Sequence, residues 1–156
     1  MKFVCDDNLG RLARWLRTLG FDTAFDRTMT DDRLLSIALA EDRIIVTRDR
    51  KLAEKTLARQ VILLDSTEPL AQLVEVVRQA ELQPNPEAFF LRCPICNVPL
   101  DTVRKEDFAE LIPPYVYRTR DSFHRCPSCA RIFWYGTHIQ RMKEKLAAAG
   151  LITSST

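Results

Sequence analysis

The chain has 156 residues, of which 46% are hydrophobic and 28% charged; this is typical of a globular protein with room for one ordinary domain or a domain plus a small module. No run reaches the roughly 18 apolar residues of a membrane-spanning helix, and the start MKFVCDDN lacks the apolar region of a signal peptide. The sequence therefore predicts a cytosolic protein without a membrane partner.

The net charge of +2 is unevenly divided along the chain. Residues 1–90 hold 13 basic and 15 acidic side chains, whereas residues 91–156 hold 10 and 6. A mildly basic second part is a weak indication of a polyanionic partner. The total charge alone indicates nothing about nucleic acid.

Strands and helices alternate through the first half of the chain. Short apolar segments predict four strands, at 2–5, 23–25, 44–47 and 61–64. Helical spacing predicts helices that begin near residues 9, 31, 48 and 68, the last extending to 82. The first ends at Gly20, and the second begins with Asp31 and Asp32 as capping residues. This rhythm predicts an α/β fold with a mostly parallel sheet between helices.

The composition changes after residue 82. The segment QPNPEAFF, residues 83–90, breaks the rhythm with two prolines and is predicted to be a linker between a domain at 1–82 and a module at 91–156. The module is rich in cysteine and aromatic residues, and its last helix is predicted at roughly 138–149.

Aspartates follow the predicted strands. The candidates are Asp6 and Asp7 after the first strand, Asp49 after the third, Asp65 after the fourth, and Asp31 with Asp32 at the head of the helix before the third. Because ligands of open parallel sheets bind beyond the carboxyl ends of the strands, we expect these carboxylates at one edge of the sheet.

Clustered carboxylates raise one another's pKa unless a cation neutralises them. Mg²⁺ or Mn²⁺ suits this edge, because it binds through one or two carboxylates together with water and phosphate, and two such ions can direct water against a phosphodiester. The alternative is helix capping, since Asp7, Asp31 and Asp49 each precede a helix. The adjacent acids of CDDN and the charged run TRDRK favour the metal.

Four basic residues lie near this predicted edge. Arg14 and Arg17 are three residues apart on the first helix and share a face, while Arg48 and Lys51 flank Asp49. They are candidates for phosphate binding, because guanidinium groups match phosphate oxygens. The alternative, strongest for Arg17, is a solvated helix face.

Two CxxC pairs stand in the second part of the chain. They offer four thiolates, the ligand set of a closed structural Zn²⁺ site, from Cys93, Cys96, Cys126 and Cys129. Such a site stabilises a module whose apolar core is small. Asn97 after the first pair suits a positive φ, whereas Ala130 occupies the equivalent place where glycine is usual. Cys5, in the first strand, is expected to be an inert core residue.

The segment FWYG, residues 133–136, has two interpretations. With Arg125, Arg131 and Arg141 it suits stacking on single-stranded nucleic acid and contacts with its phosphates. Its aromatic side chains equally suit the small core of a ribbon packed on the last helix.

The segments KFVCDDNLGRLARWLRTLGFDT, DDRLLSIA, IIVTRDRKLA, CPICN and FHRCPSCARIFWYGTH follow one another in this order. Together they resemble the Mut-seven C-terminal RNase family, which has a PIN-like nuclease domain followed by a zinc ribbon. The resemblance extends over about residues 1–143, and LGRLARWLRTLG and TRD are its most specific parts.

The resemblance implies a ribonuclease that depends on Mg²⁺ or Mn²⁺, with single-stranded RNA as its partner and Zn²⁺ as a structural ion. Asp6 and Asp49 match the family's carboxylates. Asp31 is the expected middle acid, with Asp32 its alternative, and Asp7 and Asp65 are supporting candidates for the acidic set.

Two other functional classes fit parts of the sequence. A phosphorelay receiver domain also carries an acidic pair after strand one and an acceptor at the position of Asp49, but its fifth strand and conjugating lysine are missing before the predicted linker. A non-catalytic RNA-binding adaptor would use the acidic edge only to bind a cation. Metal-dependent cleavage of RNA distinguishes the nuclease from both. The sequence does not decide between endonuclease and exonuclease, or between a monomer and a homo-oligomer.

Overall fold

A computed structural model describes residues 1–56 and 60–152 of the protein. Residues 153–156 of the predicted module lie outside the described part. The first half contains the strands β1 (Lys2–Cys5), β2 (Asp22–Ala24), β3 (Ile44–Thr47) and β4 (Val61–Leu63) and the helices α1 (Gly10–Thr18), α2 (Asp31–Glu41), α3 (Arg50–Lys55) and α4 (Pro69–Gln79). The strands form a parallel sheet in the order β2-β1-β3-β4. The predicted α/β fold is confirmed.

The sheet is covered on both faces. All four residues of β3 are buried, as expected for a strand of the sequence IIVT without polar alternation. On β1, Phe3 contributes to the larger hydrophobic cluster with Leu12 of α1 and Leu73 of α4, whereas the next residue, Val4, contributes to a second cluster with Leu34 of α2. Successive side chains of the strand thus feed opposite layers. The adjacent strands β1 and β3 end side by side.

The second half contains a three-stranded antiparallel sheet and a final helix. The strands are β5 (Asp101–Val103), β6 (Phe123–Arg125) and β7 (Ile132–Trp134), in that spatial order, and the helix is α6 (Thr137–Ala148). Between β5 and β6 the chain forms a 3₁₀ segment (Lys105–Leu111) and a short helix, α5 (Pro114–Thr119). This arrangement and the four cysteines are consistent with the predicted zinc ribbon.

Residues 83–90, predicted as a linker, are packed into the molecule. Phe89 and Phe90 are only 1% and 4% exposed and belong to the larger hydrophobic cluster. The Phe90 N–H donates to the carbonyl oxygen of Thr18 at 3.0 Å. Gly20 has a φ of +97°, and a Cβ added to it would stand 3.0 Å from the carbonyl oxygen of Ala88. Glycine is therefore needed here both for its backbone conformation and for this close contact.

The final helix joins the same cluster. Ile139, Met142 and Leu146 of α6 are buried there together with residues of α1 and α4. The two parts of the chain therefore share one hydrophobic core, although their local patterns differ. In the described ranges, 1–56 and 60–152, no helix is long and apolar enough to cross a membrane.

Candidate active site and metal centre

Asp6 stands at the carboxyl end of the central strand β1. Its N–H continues the ladder by donating to the carbonyl oxygen of Val46 at 3.0 Å, and the residue is 8% exposed. Oδ1 accepts the N–H of Asp7 at 2.8 Å, and Oδ2 accepts the hydroxyl of Thr47 at 2.7 Å. Two donors from different strand ends thus fix the orientation of this carboxylate.

Thr47 links the ends of the two neighbouring strands. Its hydroxyl, fully buried at the end of β3, donates to Asp6 and accepts the N–H of Asp49 at 3.0 Å. The sequence analysis did not single out Thr47. The available signal was a polar residue at the last position of the apolar strand IIVT, where a buried hydroxyl must find partners.

Asp49 serves as the N-cap of α3. Its Oδ1 accepts the N–H groups of Lys51 at 2.8 Å and Leu52 at 3.4 Å. Its Oδ2 accepts no hydrogen bond from the part of the chain that the structure describes, and the residue is exposed. Capping therefore occupies one oxygen and leaves the other free for a ligand.

The remaining predicted acids are exposed and take no part in the link through Thr47. Asp31 and Asp32 are exposed in the first turn of α2. The prediction that they cap this helix is wrong: the N-cap is Thr30, whose hydroxyl accepts the N–H of Arg33 at 3.3 Å. Asp65 is 85% exposed and lies 3.5 Å from Nη2 of Arg50.

Within the described residues, the predicted acids do not form a group of three or more carboxylates close together. The one group of three or more His, Cys, Asp or Glu ligand atoms found close together there is the cysteine cluster. Asp7 is exposed beside Asp6. Among the predicted acids, the structure links Asp6 and Asp49 to each other, through the hydroxyl of Thr47. One or two protein carboxylates besides water and phosphate are enough to bind Mg²⁺ or Mn²⁺.

The predicted basic residues have different environments. Arg14, Arg48 and Lys51 are exposed, whereas Arg17 is only 6% exposed. The guanidinium of Arg17 donates from Nε to the carbonyl oxygen of Thr23 at 2.9 Å, and from Nη1 to those of Pro94 at 3.1 Å and Ile95 at 2.9 Å. Burial lowers the pKa of Arg17. These contacts give Arg17 a structural role in place of the predicted phosphate contact.

Arg17 therefore joins the sheet domain to the first cysteine turn, residues 93–98, which we call the first knuckle. Asn97 makes a second junction. Its Oδ1 accepts the N–H of Thr23 at 3.0 Å, and its Nδ2 donates to Oδ1 of Asp22 at 2.8 Å. Asp22 also pairs with Arg43 at 2.7 Å.

The pKa of Asp22 reflects this network. Partial burial acts to raise the pKa, but hydrogen bonds from Arg43 and Asn97 outweigh it, and the pKa is lowered. Neither Asn97 nor Asp22 was a candidate in the sequence analysis, because partners 75 residues apart leave no local pattern.

The four cysteine sulfur atoms converge. All lie within 4.8 Å of one another, and Sγ of Cys93 and Sγ of Cys129 are 3.9 Å apart. Tetrahedral Zn–S bonds of about 2.3 Å separate neighbouring sulfurs by about 3.8 Å, so the arrangement fits one Zn²⁺. Cys93 and Cys126 are buried, and their partners are partly exposed.

The first knuckle and the second knuckle, residues 126–131, share the same backbone hydrogen bond and the same positive φ at equivalent positions. The N–H of Asn97 donates to the carbonyl oxygen of Cys93 at 3.0 Å, and that of Ala130 to Cys126 at 2.9 Å. Asn97 and Ala130 adopt φ values of +61° and +62°. The positive φ foreseen for Asn97 is present, and Ala130 adopts it without glycine's freedom.

Two other predictions concern buried groups. Cys5 is fully buried, and burial raises the pKa of its thiol to about 12, which makes it unreactive as expected. The aromatic segment 133–136 contributes to packing: Phe133 stacks on Phe90 with ring centroids 6.1 Å apart, and the Tyr135 hydroxyl donates to the carbonyl oxygen of Pro86 at 3.0 Å. These contacts favour the ribbon-core interpretation.

A protein-family model matches most of the chain. The family is described as the Mut7-C RNAse domain, and the match covers residues 1–146, which include both the acidic edge and the two knuckles. No curated protein and no solved structure matches the chain.

Proposed function

Because the chain belongs to the Mut7-C RNase domain family, we propose that it is a metal-dependent ribonuclease that hydrolyses phosphodiester bonds of RNA. The reaction takes place at the sheet edge, with Asp6 and Asp49 as the metal-binding carboxylates. The observation that carries this proposal is the single buried hydroxyl of Thr47, which holds the carboxylate of Asp6 and the backbone of Asp49 in a fixed relation.

The carboxylates retain capacity for a ligand. A carboxylate has about four lone-pair sites, and one protein donor contacts each oxygen of Asp6. Asp49 uses Oδ1 as a cap and keeps Oδ2 free among the described residues. When bound here, Mg²⁺ or Mn²⁺ supplies a water of lowered pKa and offsets the charge on the phosphate.

The protein's own contribution is positioning. Asp6 is held by two hydrogen bonds, so little side-chain entropy is lost when it binds a ligand. Arg48, exposed next to Asp49, supplies a fork of donors for phosphate oxygens, and Lys51 adds a point charge. Asp31, with Asp32 as its alternative, remains our proposed third acid, and Asp7 and Asp65 remain supporting acids.

The knuckles have a structural role in this proposal. Their four thiolates hold Zn²⁺ in a closed site without an open coordination position. The hydrogen bonds of Arg17 and Asn97 hold the first knuckle in a fixed position against β2 and α1. We propose that the ribbon thereby supports the RNA-binding surface beside the acidic edge.

The phosphorelay receiver is a weaker interpretation of the same fold. The parallel sheet has four strands in the described ranges, so the fifth strand and its lysine are missing there. The non-catalytic adaptor differs from the proposed enzyme only in its lack of cleavage, and the experiment below separates the two.

The test is cleavage of a labelled single-stranded RNA by wild type and Asp49→Asn, with Mn²⁺, with Mg²⁺ or without an added ion. Chelators are left out because they would also remove Zn²⁺. Asparagine keeps the capping oxygen but not the charge, so the variant is expected to fold and to lose cleavage. The matched control is Asp42→Asn, because Asp42 precedes β3 at the opposite edge and has a φ of 52° that asparagine tolerates.

We expect cleavage only with an added ion, and equally from wild type and Asp42→Asn. If wild type cleaves nothing with either ion, or if Asp49→Asn cleaves as fast as wild type, the nuclease proposal for this edge fails. RNA binding without cleavage would then favour the adaptor.

A further inference from the structure

A cleft of about 840 Å³ opens beside the acidic edge. Its walls come from the start of α1, the loop after β2, the start of α4 and the first knuckle. It includes Asp7 and Arg48, the chain neighbours of Asp6 and Asp49. The cleft therefore adjoins the proposed catalytic pair.

Arginine dominates the charge of this cleft. Its lining contains five arginines and one acidic residue, Asp7; the arginines are Arg11, Arg14, Arg17, Arg27 and Arg48. Arg17 is committed to backbone carbonyls. The other four are absent from every ion pair within the described residues. We call this site the arginine cleft.

Four guanidinium groups without an ion pair among the described residues surround one concave surface, although Arg48 also interacts electrostatically with Glu75. Together they create a positive potential that attracts polyanions. The start of α1 adds to it. Leu9, the N-cap, offers no side-chain acceptor to the first turn of this nine-residue helix, so the positive end of the helix dipole faces the cleft uncapped. An extended anion with several phosphates would match this arrangement.

The cleft also has apolar surfaces. Phe25 is partly exposed, and its buried part packs against the larger hydrophobic cluster. A Cβ added at Gly10 would stand 2.8 Å from its ring. Ile95 of the first knuckle also lines the cleft and is 39% exposed. A partly exposed aromatic ring among cationic side chains suits base stacking with single-stranded nucleic acid.

We propose that the arginine cleft binds the backbone of a single RNA strand and guides it to Asp6 and Asp49. The inference rests on the proposed function, and it adds Arg11, Arg27 and Phe25, which the sequence analysis had not singled out. Arg11, Arg14, Arg27 and Arg48 contact phosphates, and Phe25 stacks on a base. Discrimination among sequences is expected to be weak, because phosphate contacts carry no base information.

The test measures binding separately from cleavage. Fluorescence anisotropy records the affinity of a labelled single-stranded RNA for Asp49→Asn protein without added divalent ions, and a denaturing gel verifies that the RNA stays intact. Arg11→Ala and Arg27→Ala are then introduced into this background. Arg118→Ala is the matched control. It removes the same charge, but Arg118 is exposed on α5 outside the cleft.

We expect each cleft substitution to raise Kd by roughly three- to tenfold and to reduce the salt dependence of log K by about 0.7, the value for one phosphate on a single strand. Arg118→Ala should change neither. Gly10→Ala, which pushes the ring of Phe25 aside without altering charge, should weaken binding but leave the salt slope unchanged.

The outcomes distinguish this inference from the nuclease proposal. Arginine-dependent binding of RNA that wild type never cleaves would support the cleft and overturn the nuclease. Normal affinity of the Arg11→Ala and Arg27→Ala proteins, with cleavage by wild type, would overturn the cleft alone. Equally tight binding of a polyglutamate peptide of matched charge would also overturn it, and would favour an acidic protein partner.

Discussion

The hydroxyl of Thr47 donates a 2.7 Å hydrogen bond to Oδ2 of Asp6, and it is fully buried while doing so. The same oxygen accepts the N–H of Asp49. One side chain at the end of β3 therefore sets the position of both proposed metal ligands, although it binds no metal itself.

Replacing Thr47 by valine keeps the shape of the side chain and removes the hydroxyl. The oxygen of Asp6 and the N–H of Asp49 then lose their partner, which we expect to cost about 1–3 kcal/mol of unfolding free energy. Because groups that orient ligands typically account for about 10–100-fold in metal affinity or activity, we expect cleavage to require at least about tenfold more Mn²⁺. Urea unfolding and a Mn²⁺ titration of RNA cleavage measure the two effects.

The control for this prediction is Thr47→Ser, which retains the hydroxyl. It should need nearly the same Mn²⁺ concentration as wild type. A valine variant whose Mn²⁺ titration overlays that of wild type would show that Thr47 does not position the site.

Arg17 gives a second prediction, about the link between the sheet and the first knuckle. Arg17→Met keeps most of the apolar stem but removes the donors to Thr23, Pro94 and Ile95. We expect a loss of about 3 kcal/mol of unfolding free energy, because three carbonyl oxygens lose their charged hydrogen-bond donor. We also expect faster release of Zn²⁺ to a chromophoric chelator, since the knuckle loses a support.

Arg14→Met is the matched control, because Arg14 is exposed on the same helix. It should leave both stability and Zn²⁺ release near the wild-type values. If Arg17→Met unfolds earlier but releases Zn²⁺ at the wild-type rate, the coupling between Arg17 and the knuckle is refuted.

Asp22 predicts a dependence of stability on pH. Its pKa is lowered in the folded state, because the bonds from Arg43 and Asn97 outweigh the opposing effect of burial. A depressed carboxylate pKa contributes stability above the unfolded pKa, and this contribution is lost as the pH falls through the folded pKa. Asp22→Asn should thus be less stable than wild type at pH 7, and the gap should narrow below about pH 4.

Urea unfolding of both proteins at several pH values between 7 and 3 measures this gap. Loss of Zn²⁺ in acid affects both proteins, so only the difference between them is interpreted. A gap that stays constant down to pH 3 would contradict the assigned role of Asp22.

Local patterns predicted the order of the first four strands and helices along the chain, and they identified the four cysteines as the ligands of one metal site. Both features are written in short segments: apolar runs of three or four residues, and thiols separated by two. The predicted parallel sheet put Asp6 and Asp49 at the same edge. The direct pairing of β1 with β3, which the sequence did not predict, places the ends of their two strands side by side. A site built from strand ends is therefore partly readable from the chain.

Contacts between distant segments could not be read in this way. The helical spacing of Arg17 predicted a position on the surface. Its side chain is nevertheless buried against the carbonyl oxygens of Pro94 and Ile95, which lie 77 and 78 positions further along the chain. The prolines of 83–90 indicated a break, but Phe89 and Phe90 fill the core there. Thr30 became the cap of α2 because its backbone is extended before the first turn, which composition alone did not distinguish from Asp31.

Ala130 offers a final prediction, about the second knuckle. At a φ of +62° an alanine carries steric strain that glycine avoids, worth about 1–2 kcal/mol, while glycine adds about 0.4–1 kcal/mol of entropy to the unfolded chain. Strain is the larger quantity, so Ala130→Gly should stabilise the Zn²⁺-loaded protein by about 0.5–1 kcal/mol in urea unfolding.

Asn97→Gly tests the same backbone change in the first knuckle with the opposite expected sign. Asn97 has nearly the same φ, +61°, but its side chain bonds to Thr23 and Asp22. Losing these bonds costs more than the relief of strain, because asparagine tolerates this conformation better than alanine. If both substitutions stabilise the protein, the bonds of Asn97 do not hold the knuckle to β2; if both destabilise it, strain at Ala130 is not the dominant cost.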